Sequence, residues 1–223
     1  MKAMILAAGR GERMRPLTDH IPKPLLEVGG KALIEYHLLA LQQSGIKDVI
    51  INHAWLGEQI EARLGSGDQY SLRIQYSPEV PAALETAGGI IQALPQLGQE
   101  PFIVINGDIW CDYPIQKLPN QLEGLAYLVM VSNPSHNPQG DFYLASDGKL
   151  RVEGKPKLTY SGIGVYHPRL FAGLEPGVRP LAPLLKTAMT AGLVSGEHYD
   201  GRWWDIGTPQ RLRELDATLK VTS

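Results

Sequence analysis

Cysteine is nearly absent: Cys111 stands alone in a chain of 223 residues. An intrachain disulfide and a zinc site built from several thiolates are therefore excluded, and the usage fits a reducing cytosol. Next to Trp110, the lone thiol reads as a small buried apolar residue. Neither sign of charge is in excess, with 21 Lys and Arg against 23 Asp and Glu, so no overall basic field points to a nucleic acid polymer. No apolar run approaches the length that spans a bilayer. The start, Met1-Lys2 followed at once by a strand-like run and by charges at 10, 12 and 13, is too short for the apolar region of a signal peptide. A cytoplasmic location is the resulting expectation. None of the six histidines stands in a recognisable motif, and no Ser-His-Asp or Cys-His pattern is present. A P-loop is missing too, and a dinucleotide fingerprint fails because Met14 stands where its third glycine belongs.

What is present is a local anion site. The apolar run Ala3 to Ala7 leads into Ala8-Gly9-Arg10-Gly11-Glu12-Arg13-Met14-Arg15-Pro16-Leu17-Thr18, and Lys23 follows ten residues after Arg13, between Pro22 and Pro24. Glycines let backbone N–H groups approach phosphate oxygens, while Arg13 and Lys23 supply the charge that a triphosphate needs. A glycine-rich turn after a first strand is also an ordinary α/β connection. Arg13, Pro16-Leu17-Thr18 and Pro22-Lys23-Pro24 in register are what favour the anion site.

Strand-like and helix-like runs alternate through the first half. Residues 3–7 are continuously apolar, as in a parallel strand buried on both faces. Residues 32–44 carry Ile34, Leu38 and Leu41 at helical spacing, with Gly45 as the stop. Strands are expected at 48–52, 72–76 and 102–106, and helices at 57–64 and 85–94. This order implies a Rossmann-like, mostly parallel central sheet flanked by helices, with ligands beyond the carboxyl ends of its strands. One domain, 1–223, is expected. The second half adds strand-like runs at 125–131 and 160–166 and a hairpin of 142–145 with 149–152 around Ser146-Asp147-Gly148. A second hairpin is expected to join Glu197-His198-Tyr199 to Arg202-Trp203-Trp204 across Asp200-Gly201. The hairpins suggest a small subregion built on the same sheet. Residues 180–191 read as helical. Thr208-Pro209 reads as a helix start, with Leu212, Leu215 and Leu219 as its apolar stripe.

Two carboxylates stand where such a sheet would place a ligand. Asp108 follows Ile105-Asn106-Gly107 at the end of a buried strand, and Asp205 lies in Trp203-Trp204-Asp205-Ile206-Gly207-Thr208-Pro209. Two acidic residues are what Mg²⁺ commonly takes from protein when triphosphate oxygens and water fill its other positions. Acceptance of backbone N–H groups in a turn and helix capping are the competing roles.

The G-x-G-x-R loop with its P-K-P, Gly107-Asp108, the Glu153-x-Lys155 pair and Asp205-Ile206-Gly207-Thr208-Pro209 resemble the signature of the sugar-1-phosphate nucleotidyltransferases. These enzymes make nucleoside-diphosphate sugars from an NTP and a sugar 1-phosphate. The resemblance implies Arg13 and Lys23 as catalytic residues and Asp108 and Asp205 as ligands of a Mg²⁺ cofactor. It implies nucleotide contacts at Leu6, Ala8, Gly9, Gly11, Glu12, Arg13, Lys23, Ala83, Glu85, Gly88 and Gly107. Sugar contacts are implied at Gly140, Asp141, Glu153 and Gly162, which makes the small β-hairpin subregion sugar-binding, with Lys155 near a phosphate. Leu84-Glu85-Thr86-Ala87-Gly88-Gly89 is similar to the L-E-T-G-G-G variant of one branch, in which Glu85 replaces the first glycine of the commoner base-binding turn. That branch includes uridylyltransferases for N-acetylmuramate 1-phosphate and nucleotidyltransferases for heptose and mannose 1-phosphates. Gly88 and Gly89 have close backbone packing as their other reading.

The implied reaction is transfer of UMP from UTP to N-acetylmuramate 1-phosphate, in cell-wall sugar recycling. A guanylyltransferase for mannose or heptose 1-phosphate is the rival within the class. A non-catalytic nucleotide-sugar-binding regulatory subunit is the rival outside it, and retention of Arg13, Lys23, Asp108 and Asp205 argues against that reading. If the sugar is N-acetylmuramate, Arg202 is the expected partner of its lactyl carboxylate. Trp203 and Trp204 either stack on a sugar face or serve as core. Only small-molecule partners are expected, with no membrane and no obligate protein partner, and the left-handed β-helix of some relatives is expected to be absent.

Overall fold

The computed structural model describes residues 1–221. Their order is β1 (Ala3–Leu6), β2 (Glu27–Val28), β3 (Lys31–Ala32), α1 (Leu33–Gln43), β4 (Asp48–His53), α2 (Gly57–Leu64), β5 (Arg73–Pro78), α3 (Glu85–Leu97), β6 (Phe102–Asn106), β7 (Ile109–Cys111), β8 (Ala126–Val131), β9 (Phe142–Leu144), β10 (Leu150–Arg151), β11 (Lys157–Tyr166), α4 (Ala182–Thr190), β12 (Val194–Tyr199), β13 (Trp203–Asp205) and α5 (Pro209–Val221). Strands β5, β4, β1 and β6 lie side by side and parallel. Beyond them β11 runs antiparallel to β6, β8 antiparallel to β11, and β12 parallel to β8. The β9–β10 hairpin extends from the first residues of β11. The expected helix-flanked, mostly parallel sheet is what the chain forms at its centre.

The continuous apolar run of β1 has the cause its position demands. Ala3 and Ile5 pack with Ile51 and Ile105 against α1 and α2, while Met4 packs with Ile50 and Val104 against α3 and α4. Successive strand side chains point to opposite faces, and both faces are covered. In α1, Ile34, Leu38 and Leu41 are buried as their spacing predicts. Glu35 Oε2 accepts the Ala32 N–H at 2.7 Å, which satisfies one open donor at the helix start. A third apolar cluster joins Met14 of the glycine-rich loop to Val28, Leu33, Trp110, Ile206 and the Leu212-Leu215-Leu219 stripe of α5. The last helix thereby seats the end of the chain against the first loop.

The second expected hairpin does not form. Glu197-His198-Tyr199 belongs to β12 and pairs with β8, whereas Trp203 and Trp204 pair with Cys111 and Trp110 of β7. Asp112 supplies the physical reason. Its carboxylate accepts the backbone N–H and Nε–H of Arg202, each at 2.8 Å, and the Tyr199 hydroxyl at 2.6 Å, which turns β13 across β7. Among the described residues no helix is long and apolar enough to cross a membrane.

Candidate active site

The parallel register sets Leu6, Asn52 and Asn106 in one row at the carboxyl ends of β1, β4 and β6. Ala7 begins the glycine-rich loop there, and its N–H donates to Asn52 Oδ1 at 3.0 Å. Gly11 holds φ 67°, and a Cβ on it would lie 3.0 Å from Thr18 and 3.3 Å from Lys23. Glycine is therefore favoured by both backbone and space. Thr18 ties the loop down by donating to the Gly11 carbonyl at 2.8 Å. Arg10 braces it from outside, stacked 3.8 Å over Trp55 and bonded to the Thr18 carbonyl at 2.8 Å. Met14 is buried, so its neighbour Arg13 is left exposed, with no hydrogen bond or ion pair among the described residues.

Lys23 comes from the turn between the prolines. Its side chain is 8% exposed and its ammonium donates to Asp108 Oδ2 at 2.8 Å. Gly107 makes that pair possible. Its N–H donates to the Leu6 carbonyl at 2.9 Å, and a Cβ on it would lie 2.6 Å from the same oxygen. The β6–β7 turn thus lies against the end of β1 and holds Asp108 over Lys23. Leu6, Gly9, Gly11, Glu12, Arg13, Lys23, Gly107 and Asp108 all line one cavity of about 410 Å³. Ala8 lies in the same loop but does not line it.

Asp205 approaches from the far end of the chain. Its register partner on β7 is Ile109, and the Ile206 N–H donates to the Asp108 carbonyl at 2.9 Å. The Asp205 carboxylate faces Arg211 Nη1, with which it pairs through Oδ2, and His136 Nε2 at 3.0 Å. Gly207 separates it from the cavity: a Cβ there would stand 3.3 Å from Asp205 Oδ2 and 3.4 Å from Arg13 Nη2. Gly207 thus stands between the cavity lined by Arg13 and Asp108 and a separate one that Asp205 lines with His136 and Arg211. His37 is buried beneath β7, where desolvation lowers its pKa to about 4, against the raising effects of Ile109 and Asp108. Burial pushes the Cys111 thiol up to about 12, so this half-buried sulfur is no nucleophile.

A second cavity, of about 800 Å³, shares Thr86 and Asn106 with the first. Glu85, Gly140 and Asp141 line it, together with Phe142, Lys157, Tyr160, Leu181, Leu185 and Lys186. Gly162 lines neither cavity. It holds φ 86° at the irregularity of β11, and a Cβ on it would lie 2.8 Å from Asn106, so its absence admits Asn106 to the junction. Asp141 serves its own loop, accepting Tyr160 N–H at 2.8 Å and Asn137 Nδ2 at 3.1 Å. Glu153 and Lys155 are exposed and line neither cavity. Ala83 is likewise exposed outside both.

Gly88 is also outside. Its N–H and that of Ala87 donate to the Arg179 carbonyl, and a Cβ on it would lie 2.2 Å from the Gly177 carbonyl. Its place is close backbone packing. Arg202 is engaged by Asp112 rather than free for a substrate; burial raises the Asp112 carboxyl, and the bonds from Tyr199 and Arg202 outweigh it and hold it low. Trp203 donates to the Ser161 carbonyl at 2.8 Å and Trp204 packs on the third cluster. Neither lines the second cavity.

Sequence reasoning missed a buried strut. Asn52 Nδ2 donates to Glu79 Oε1 at 2.6 Å, and Glu79 Oε2 accepts the Leu84 N–H at 2.6 Å, with Glu79 only 3% exposed. It links the glycine-rich loop to the start of α3. Asn52 near the carboxyl end of β4 and Glu79 just past that of β5 were the available signal. Arg211 and His136 carried none.

The family model described as "Nucleotidyl transferase" matches residues 2–221. An N-acetylmuramate alpha-1-phosphate uridylyltransferase of Neisseria meningitidis is 53% identical, covering 97% of each chain. One of Caulobacter vibrioides is 34% identical over 97% of this chain and 96% of its own. A mannose-1-phosphate guanyltransferase of Aspergillus fumigatus is 31% identical over 94% of this chain but 62% of its own. Among solved structures, a candidate glucose-1-phosphate thymidylyltransferase of Bacillus anthracis superposes with a TM-score of 0.86 at 24% identity, covering 99% of this chain and 95% of that one. The glycine-rich loop, the Lys23–Asp108 pair and this end-to-end likeness lead to one assignment: the chain belongs to the nucleotidyl transferase family.

Proposed function

We propose that this enzyme transfers UMP from UTP to N-acetylmuramate 1-phosphate, releasing pyrophosphate, in the recycling of cell-wall sugar. The observation that carries the reading is the pairing of a glycine-lined cavity that holds Arg13 and Lys23 with a larger cavity opening beside it through Thr86 and Asn106. The first suits a triphosphate and the second a sugar. The 53% relative supplies the base and the sugar. The guanylyl reading is weaker, since the relative that supports it is 31% identical and is covered over 62% of its length.

In this reading a phosphate oxygen of the sugar 1-phosphate attacks the α-phosphorus in line, and pyrophosphate departs opposite it. An anion must approach a polyanion, so alignment and charge neutralisation are the catalytic tasks. Arg13, at the cavity wall and without a partner among the described residues, takes up charge on the triphosphate and on the developing transition state. Lys23 faces the same space from the buried side and offsets charge at the α-phosphate. The backbone N–H groups of the glycine-rich loop donate to oxygens of the outer phosphates.

The donor set fits a hard divalent cation. Oδ1 of Asp108 and Oδ1 of Asp205 take no hydrogen bond among the described residues, and the Ile206–Asp108 backbone bond clasps the two segments together. We propose that these carboxylates hold Mg²⁺, which when bound neutralises phosphate charge as a Lewis acid. Lys23 and Arg211 fix the remaining oxygen of each carboxylate.

Pyrophosphate release, measured with Mg²⁺ across UTP, GTP, CTP and dTTP against N-acetylmuramate, N-acetylglucosamine, mannose and heptose 1-phosphates, tests the proposal. UTP with N-acetylmuramate 1-phosphate is the expected best pair. A preference for GTP with mannose or heptose phosphate would overturn the substrate and keep the chemistry.

A further inference from the structure

N-acetylmuramate carries a lactyl ether, so its 1-phosphate is anionic at two separated places. With Arg202 bound to Asp112, the lactyl carboxylate must find its counter-charge elsewhere. Four charged side chains line the second cavity: Glu85, Asp141, Lys157 and Lys186. Asp141 is occupied by Tyr160 and Asn137. Neither Lys157 nor Lys186 makes a side-chain hydrogen bond or ion pair among the described residues, and Lys157 is half-buried. A half-buried lysine that lines a cavity with Phe142, Leu181 and Leu185 gains from an anionic partner.

Phosphate is not the best candidate for that partner. Arg13 and Lys23 line only the first cavity, Lys157 and Lys186 only the second, and Thr86 and Asn106 form the border between them. The two pairs of cations thus match the two anionic groups of one substrate. We propose that Lys157 and Lys186 form a carboxylate subsite that reads the lactyl group and sets the sugar specificity. This rests on the sugar assigned above. The lysines come from different elements, β11 and α4, so a carboxylate between them would also bridge the two walls of the cavity.

The test compares kcat/KM for N-acetylmuramate 1-phosphate and N-acetylglucosamine 1-phosphate, which lacks the lactyl ether, in wild type, Lys157→Met, Lys186→Met and the double variant. If the second sugar turns over too slowly, its inhibition constant against the first replaces its rate. Loss of about ten- to hundredfold per lysine is expected for the lactyl sugar, the range for a charge-assisted hydrogen bond. The other sugar should change less than about threefold, which also shows that the variants fold, and Lys→Arg should retain most of the discrimination. Equal losses on both sugars would assign the lysines to the phosphate and overturn the proposal. Unchanged rates on both would place the carboxylate elsewhere and overturn it too. A wild-type enzyme that ignores N-acetylmuramate 1-phosphate would instead overturn the functional reading, before any variant is made.

Discussion

At Glu85 the backbone holds φ 60°, a left-handed conformation at the first residue of α3. A side chain there is strained by about 1 kcal/mol, which glycine escapes, while glycine gives up a similar amount of unfolded-state freedom. Glu85→Gly should therefore leave stability unchanged or raise it slightly by urea titration. At an ordinary helical position the same change costs about 1 kcal/mol. The commoner glycine of the family turn thus has a backbone cause, and Glu85 departs from it at a residue lining the second cavity. His37 makes a different prediction. Its folded pKa is lowered to about 4 by burial, against about 6.5 in the unfolded chain. Above pH 6.5 neither state holds the proton. Between about 6.5 and 4 the unfolded chain binds it and the folded chain does not, so stability falls as pH falls; below about 4 both bind it. Wild type should lose on the order of 3 kcal/mol more than His37→Leu between pH 7 and pH 4, read from denaturant midpoints. Parallel curves would mean that His37 is solvated.

Elements whose identity is set by their own residues were legible from the sequence. The α1 stripe, its Gly45 stop, the Thr208-Pro209 start of α5 and the continuous apolar β1 all follow from local spacing and caps. Which strand another strand pairs with was not legible. The turn at Asp200-Gly201 suits a hairpin, but the partner of β13 is chosen by Asp112, about ninety residues away in sequence. The same limit hid the Asn52–Glu79 strut, which forms only when β4 and β5 align. Here Asn52 cannot turn, because its oxygen holds Ala7 N–H. Both Glu79 oxygens then face donors, Asn52 Nδ2 and Leu84 N–H. In Glu79→Gln one of those donors meets an amide NH₂. The expected cost is about 1 to 3 kcal/mol of stability, with a raised KM for the nucleotide, since the strut joins the glycine-rich loop to the start of α3. An unaltered melting temperature and unaltered KM would remove the strut from the mechanism.

Across the whole molecule, the candidate site draws on the beginning, middle and end of the chain: Glu12, Arg13, Lys23 and Asp108 line the first cavity, and Asp205 lies beyond Gly207. The motif residues could be named from sequence because each sits at a strand end or turn with its own local pattern. The pairing of Asp205 with Arg211 and His136 could not, since His136 lies in a connection without periodicity. Convergence of distant segments on one ligand has a thermodynamic consequence. A ligand that binds only the folded chain stabilises all of it, by about 2.7 kcal/mol at a hundredfold excess over Kd, or roughly 5 to 10 °C for a chain of this size. UTP with chelator should give part of that shift through Arg13, Lys23 and the loop, and UTP with Mg²⁺ should give more. In Asp108→Asn the Mg²⁺ increment should vanish while the UTP increment with chelator persists, because asparagine can still accept from Lys23 but brings no charge to a cation. Melting curves of both proteins under the two conditions decide it: an equal Mg²⁺ increment in wild type and variant would take the metal away from Asp108, and loss of both increments would make Asp108 a scaffold for the loop.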